Sequence, residues 1–344
     1  MFRVILDFFR IGQAVTPLTD AEEIERERKR RALNAFIGLT VGYGMFYVCR
    51  KSLSVIKGPL IDSQILEGWQ VGVMGAMLYY SYAVGKLTNG FLSDWANVKR
   101  VMSFCLLVSA VINLMLGFTS SFLMFAVLWG INGWFQSMGS APSVVSLSHW
   151  FPASKRGTMY SLWSTSHSIG EGISYTAIAF VVSQTSWRWG FGVSGLLCVV
   201  AAFWMYRMLS DHPRTYGLPS HSDKKRSEEG SDALSVGQQQ LQVLKNPAII
   251  VIGLSSAAMY FCRYSFLDWG PFFLEKFKGY DYETANGFIG VSLIVGGILG
   301  TIAPGLISDR LFGSKRGLVT FAFGILQVAG IALLMLCPAV YWAD

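Results

Sequence analysis

Charge is scarce in this chain of 344 residues. Only 14% of them are Asp, Glu, Lys or Arg, and 52% are hydrophobic, whereas a soluble domain carries about 25% charge. An ordinary soluble domain is therefore excluded. The five cysteines (Cys49, Cys105, Cys198, Cys262, Cys337) all lie in apolar stretches and form no CxxC pair, so they read as small core residues rather than disulfides or metal ligands. A Walker A loop, an H-E-x-x-H pair and a G-x-S-x-G elbow are all missing, which removes the usual grounds for ATP hydrolysis, metalloprotease or hydrolase chemistry. We therefore expect no enzyme, cofactor or metal. The one G-x-G-x-x-G match, GFGVSG at 190–195, opens an apolar run with no βαβ context and reads as close helix packing.

Long apolar runs dominate instead. Crossing a bilayer takes about 20 apolar residues, and nine segments qualify: 33–56, 69–93, 101–117, 122–150, 158–183, 189–210, 247–274, 284–308 and 317–340. The expectation is an all-α polytopic membrane protein; a barrel would show short alternating segments. With the N-terminus in the cytoplasm, the 28 Lys and Arg divide into 20 inside, 4 within spans and 4 outside (Lys57, Arg188, Lys276, Lys278). That bias orients the bundle and accounts for the +7 net charge without a nucleic-acid partner. Residues 1–16 are too short and too charged for a secretory signal and read as an interfacial helix or a plain tail. The organisation expected is an N-terminal segment 1–32, a six-span bundle 33–210, a polar cytoplasmic linker 211–246 and a three-span portion 247–344.

The two portions repeat each other. YVCRKS (47–52) matches YFCRYS (260–265) at an offset of 213 between Arg50 and Arg263. GFLSDWANVKR (90–100) matches GLISDRLFGSKR (305–316), pairing Gly90 with Gly305 and Asp94 with Asp309 at an offset of 215. Two motifs in one order at nearly one displacement mark an internal repeat, a common transporter architecture. The Gly-x-x-x-Asp pairs read as polar gating turns at the cytoplasmic face.

A charge near the bilayer centre is costly and faces an interior cavity or a partner. Four cations lie within spans: Arg50, Lys51, Lys86 and Arg263. Tyr43, Tyr47 and Arg50 share one helical stripe, Tyr260 and Arg263 another, and Tyr79, Tyr82 and Lys86 a third. Against these stand two acids, Glu171 and Asp268, leaving surplus positive charge for an anion. Two arginines, one per repeat, favour a phosphate monoester over a carboxylate, because each guanidinium donates paired hydrogen bonds and phosphate offers three oxygens. His167, with Glu171 four residues on, is either a packing residue or a reader of the ligand's protonation state.

On GYGMFYVCRKS, YAVGKLTNGFLSD, HWFPASKRGTMYSLWSTSHSIG, DHPRTYGLP and FCRYSFLDWGPFF, the chain resembles the organophosphate:phosphate antiporters of the major facilitator superfamily. The hexose-phosphate carriers and the related hexose-phosphate sensor are the nearest branch. The resemblance implies a twelve-helix bundle, of which about nine helices are present, so the chain reads as a fragment or truncated carrier. It further implies that Arg50 and Arg263 hold phosphate, that His167 and Tyr43 line the pocket, that Lys86 and Lys51 match family lysines, and that Asp268 is the acid pairing with pocket cations. Glu171 departs from the family, which has glycine in that run.

The function expected is exchange of a hexose phosphate, foremost glucose 6-phosphate, for inorganic phosphate by alternating access in a bacterial inner membrane. Tyr47 and Tyr260 are expected among the substrate contacts. The alternatives are a membrane sensor signalling to a membrane histidine kinase, a truncated inactive carrier, or a glycerol-3-phosphate carrier.

Overall fold

The computed structural model describes residues 7–93, 96–219, 242, 245–311 and 316–336. These residues are almost wholly helical; no sheet forms among them, only an isolated bridge between Arg10 and Ala96. The helices are α1 (Ala21–Asp62), α2 (Gly68–Ser93), α3 (Val98–Phe118), α4 (Phe122–Gln136), α5 (Ala141–Trp150), α6 (Ala153–Ile173), α7 (Ala179–Gln184), α8 (Trp187–Met208), α9 (Pro247–Lys278), α10 (Tyr282–Leu311) and α11 (Arg316–Leu336). Over the described residues, each of the nine expected segments falls on a helix or helix pair; the end of the ninth, 337–340, lies outside them. In six places (α1, α3, α8, α9, α10 and α11) a single helix is long and apolar enough to cross a membrane.

Two expected spans are broken by local geometry. Segment 122–150 is interrupted by a 3₁₀ turn at Ser137–Gly139, with Pro142 opening α5. Segment 158–183 carries a π-helical turn at Ser174–Ile178 between α6 and α7, a widening that is often found at functional sites.

Helix α1 starts well before the expected boundary at residue 33. The Asp20 side chain accepts from the Glu22 amide, Glu22 and Glu23 fill the first turn, and Glu27 pairs with Arg30 and Arg31 at 3.2 and 3.0 Å. Cap, dipole and i,i+4 pairing together make a polar segment helical without a core. At the other end the helix runs through Pro59 to Asp62, so Lys57, expected outside the span, is buried in it. The expected interfacial helix at 1–16 does not form over the described residues beyond a turn at 7–9; residues 11–20 carry no regular structure.

That N-terminal stretch is instead clasped to the start of the expected linker. Val15 and Leu18 amides donate to the carbonyls of Arg214 and Gly217, the Gly12 amide to Asp211, and the Asn97 amide to Phe9. Asp211, His212, Pro213 and Leu218, at the start of the polar segment 211–246, are buried. Gly217 sits at φ +70° and closes the turn against the Thr16 carbonyl, a conformation that glycine adopts without the strain a side chain brings. Residues 220–241 lie outside the described residues. Cys49, Cys105 and Cys198 are buried as expected, but Cys262 is exposed on α9; Cys337 lies outside the described residues.

Helices α1 to α8 pack as one group, with α1 against α6 and α8, α3 against α8, and α2 against α4. Helices α9 to α11 meet this group through α9 on α1 and α10 on α6. The contacts gather at the end bearing Asp62. There Lys276 pairs with Asp62 at 2.8 Å, Tyr282 donates to the Val55 carbonyl at 3.0 Å, and Ser183 bonds Glu283. The first part of α9, residues 249–262, is exposed apart from a half-buried Ser256.

Glycine sets the α1–α6 crossing. A Cβ at Gly170 would lie 2.3 Å from the Gly44 carbonyl oxygen, whereas Gly253 on α9 has open space around it. Gly170→Ala is expected to cost about 1–3 kcal/mol through overpacking. Gly253→Ala should leave the detergent melting temperature unchanged or slightly raised, and thermal unfolding of both variants checks the contrast.

Asp211 lies outside the spans, and burial pushes its carboxyl above the usual range, opposed in part by the Gly12 amide. A raised pKa means that the folded chain holds this proton more tightly than the unfolded chain. The destabilisation is therefore absent below the unfolded value of about 4 and grows as pH rises through the folded one. Asp211→Asn should flatten this part of the stability–pH curve, measured by melting temperature from pH 4 upward.

Candidate anion-binding site

Arg50 lies in the interior of α1 and is 4% exposed. Its guanidinium carbon sits 4.4 Å from the Tyr47 ring centroid and 4.5 Å from that of Tyr82. Its Nη2 reaches the backbone oxygen and the Oε1 of Gln136, each at a long 3.4 Å. Its Nε makes no hydrogen bond. Gln136 is anchored in turn, donating to Ser109 Oγ at 2.8 Å. Among the described residues no carboxylate pairs with Arg50. A buried guanidinium with long hydrogen bonds and an idle Nε is costly unless an anion completes it.

A chain of contacts leads from Arg50 to the second group. The Tyr47 hydroxyl is 3.3 Å from that of Tyr43, which stacks on Trp163, and the Tyr47 ring lies 5.5 Å from His167. His167 Nδ1 contacts the Ser164 carbonyl and Nε2 lies 3.2 Å from Arg263 Nη2. A carbonyl only accepts and a guanidinium only donates, so His167 carries its proton on Nδ1 and accepts from Arg263 through Nε2. Arg263 also lies 3.5 Å from Glu171 Oε2 and keeps 32% of its side chain exposed. The two arginines of the repeat thus approach one region, bridged by Tyr47 and His167.

Beside them sits a buried ionic cluster. Lys51 Nζ is 2.8 Å from Asp268 Oδ1 and 3.6 Å from Glu171 Oε1. Asp268 also accepts from Ser54 at 3.0 Å and Tyr79 at 2.5 Å, while Lys57 donates to its backbone carbonyl at 2.9 Å and lies over the Trp269 ring. Asp268 lies well inside α9, which continues through Pro271 to Lys278, not near a helix end as its expected span implied. Removing one partner of a buried pair strands the other, at about 3–5 kcal/mol, whereas removing both costs much less. Lys51→Met or Asp268→Asn alone should therefore destabilise strongly, and the double variant should recover much of the loss in a double-mutant cycle of thermal melts.

Of the other expected site residues, Lys86 is half-buried, bonds Ser140 Oγ and lies 5.3 Å over the Tyr82 ring, next to Arg50's own aromatic contact. Tyr260 is 44% exposed and stacks on Tyr264 at 5.6 Å. Gly90 is near the end of α2 with open space around it. Asp94 lies outside the described residues, and Gly305 and Asp309 lie on α10 with side chains outside the described set.

Sequence reasoning passes over Gln136, Tyr264 and Lys57, and reads Glu171 as a family departure rather than a contact of Arg263. Tyr264 is within sight, since it stands where Lys51 stands in the repeat. A groove of about 470 Å³ between α2 and α4 is lined by Met77, Gly130 and Trp134 and carries no charged residue, so it does not compete with the arginines as an anion site.

A bundle of apolar helices with buried, incompletely paired cations at the contact between two groups has the build of a membrane transporter. The Major Facilitator Superfamily profile matches residues 39–343, and the chain belongs to that family, in the organophosphate:phosphate antiporter branch that its motifs resemble. It is 31% identical to a probable hexose phosphate transport protein of Chlamydia pneumoniae over 93% of this chain and 74% of that one. It is 31% identical to the membrane sensor protein UhpC of Salmonella typhimurium, covering 96% and 77%. With the glycerol-3-phosphate transporter of Bacillus subtilis it shares 29% over 99% and 77%. Among solved structures, a bacterial homologue of the lysosomal transporter Spinster, inward-facing and unoccupied, superposes with a TM-score of 0.66 at 17% identity, over 82% of this chain and 63% of that one. A D-xylose–proton symporter gives 0.55 at 15%, over 81% and 70%. Both are likenesses of fold; these families are transporters rather than enzymes.

Proposed function

We propose that the chain carries a hexose phosphate, foremost glucose 6-phosphate, across a bacterial inner membrane in exchange for inorganic phosphate. The observation that carries this reading is Arg50, buried, without a carboxylate partner among the described residues, and linked through Tyr47 and His167 to Arg263. Each arginine offers a fork of donors to phosphate oxygens, with Lys86 adding positive charge and Tyr43 and Tyr47 hydroxyls for the sugar. The hexose-phosphate and glycerol-3-phosphate carriers among the relatives support a phosphorylated small molecule as cargo.

In this reading α1–α8 and α9–α11 belong to the two bundles of alternating access, with the N-terminus cytoplasmic. The contacts at the Asp62–Lys276 end then close the outer side, and the exposed start of α9 faces the cytoplasm. Phosphate on both arginines draws the bundles together, so a loaded site reorients more readily than an empty one, which favours exchange. The likeness to UhpC gives a second reading, a sensor using the same pocket to signal to a membrane histidine kinase.

In proteoliposomes, internal phosphate should accelerate glucose 6-phosphate uptake by about tenfold. Arg50→Lys and Arg263→Lys should each lower uptake by at least about a hundredfold, because a point charge does not reproduce the bidentate fork; uptake retained in either variant overturns the arginine pair. Uptake in a host lacking hexose-phosphate transport separates carrier from sensor, since a pure sensor gives none.

A further inference from the structure

Glu171 is fully buried on α6, one turn beyond His167, and its charge is shared between two cations from different helices. Oε2 lies 3.5 Å from Arg263 Nη2 on α9, and Oε1 lies 3.6 Å from Lys51 Nζ on α1. Both distances are at the long end for a charged hydrogen bond, and Oε1 makes no hydrogen bond. Asp268, the other acid of the cluster, is by contrast tied closely by Lys51, Ser54 and Tyr79. Glu171 is therefore the loosely held carboxylate, and Arg263 is the cation it shares with the proposed phosphate site.

The placement is built by the backbone. Helices α6 and α10 approach so closely at this level that a Cβ on Gly172 would lie 2.7 Å from the Gly290 carbonyl oxygen, and one on Gly297 would lie 2.3 Å from Ser168 Oγ. The side chain next to Gly172 is thereby carried to the boundary with the second helix group. From there it reaches Arg263, a residue of that second group, while it belongs to the first.

We propose that Glu171 is an internal stand-in for the substrate's phosphate: in the unloaded carrier its carboxylate holds Arg263 across the boundary between the helix groups, and an arriving anion displaces it. The proposal rests on the transporter reading and adds to it a competitor built into the protein. Two consequences follow. Glu171 weakens anion binding, because phosphate must take Arg263 from a neighbouring negative charge and then remain beside it. It also leaves the unloaded site less positive than its four cations alone would make it, so the empty carrier still reorients slowly and some net uptake accompanies exchange.

The test uses the purified chain, wild type and Glu171→Gln, with Glu171→Ala as a second neutral variant should the amide misfold; monodisperse elution in detergent selects the one measured. Inorganic phosphate binding by titration calorimetry should tighten about tenfold on neutralisation. In liposomes, the ratio of glucose 6-phosphate uptake without internal phosphate to uptake with it should fall severalfold. Unchanged or weaker phosphate affinity in the neutral variant overturns the proposal, as does an unchanged uptake ratio. Wild-type chain that exchanges but shows no uptake into phosphate-free vesicles overturns it without any variant. Wild-type chain that neither binds phosphate nor exchanges it overturns the transporter reading itself. A chain that binds phosphate without transporting is the sensor, and for it the affinity comparison alone decides the role of Glu171.

Discussion

The contact between Lys51 and Asp268, at 2.8 Å, is the interaction on which the arrangement of the site depends. It joins α1 to α9 at a depth where neither charge reaches bulk water, and Ser54, Tyr79 and Lys57 complete the acid's surroundings. A pair of this kind does little for net stability compared with apolar residues of the same volume, but it is unforgiving of partial change. Its value is geometric. With Asp268 fixed against α1, the rotation of α9 about its axis is fixed, and Arg263, five residues earlier, is turned toward α6, His167 and Glu171. Without that rotation the repeat would still hold two arginines, but they would not address one region.

Much of this is legible from residue order. Apolar runs locate the six helices that are long and apolar enough to span a membrane among the described residues, because span length and composition leave few alternatives for a chain so poor in charge. The echo of YVCRKS in YFCRYS identifies the two arginines, and the balance of cations over acids points to an anion. Other features are hidden for specific reasons. The helical start at Ala21 comes from a cap and ion pairs in a stretch that reads as polar tail. The burial of Asp211 and Leu218 depends on Phe9 to Leu18, about two hundred residues away in the chain, a contact that local pattern cannot reveal. Glu171 looks like a lone departure from its family until Arg263 and Lys51 are seen on either side of it. Lys57 reads as outside because a lysine followed by Gly58 and Pro59 resembles a helix end, yet Pro59 is accommodated and α1 continues.

Small residues govern close helix approach both inside the first helix group and at its boundary with the second. Gly44 against Gly170 sets α1 on α6, and Gly172 against Gly290 sets α6 on α10. Helices in a bilayer gain no hydrophobic driving force from one another, so close backbone approach through small residues supplies the packing. The same closeness brings polar side chains at neighbouring positions within reach of the opposite group, which is why Glu171 and Ser168 lie at this seam. The π-helical turn at Ser174–Ile178 follows directly, and from it Tyr175 reaches across to the Leu267 carbonyl at 2.6 Å. One helix thus contacts α9 twice, once through a carboxylate and once through a phenol.

The two phenol rings around Arg50 have a consequence of their own. A carboxylate partner grips a guanidinium along its edge and uses up the N–H groups that lie there. Tyr47 and Tyr82 attract the same cation through their π clouds, and an aromatic face occupies none of those N–H groups. The two rings thereby help to hold the membrane-buried charge while Nε, which makes no hydrogen bond, remains a donor in waiting.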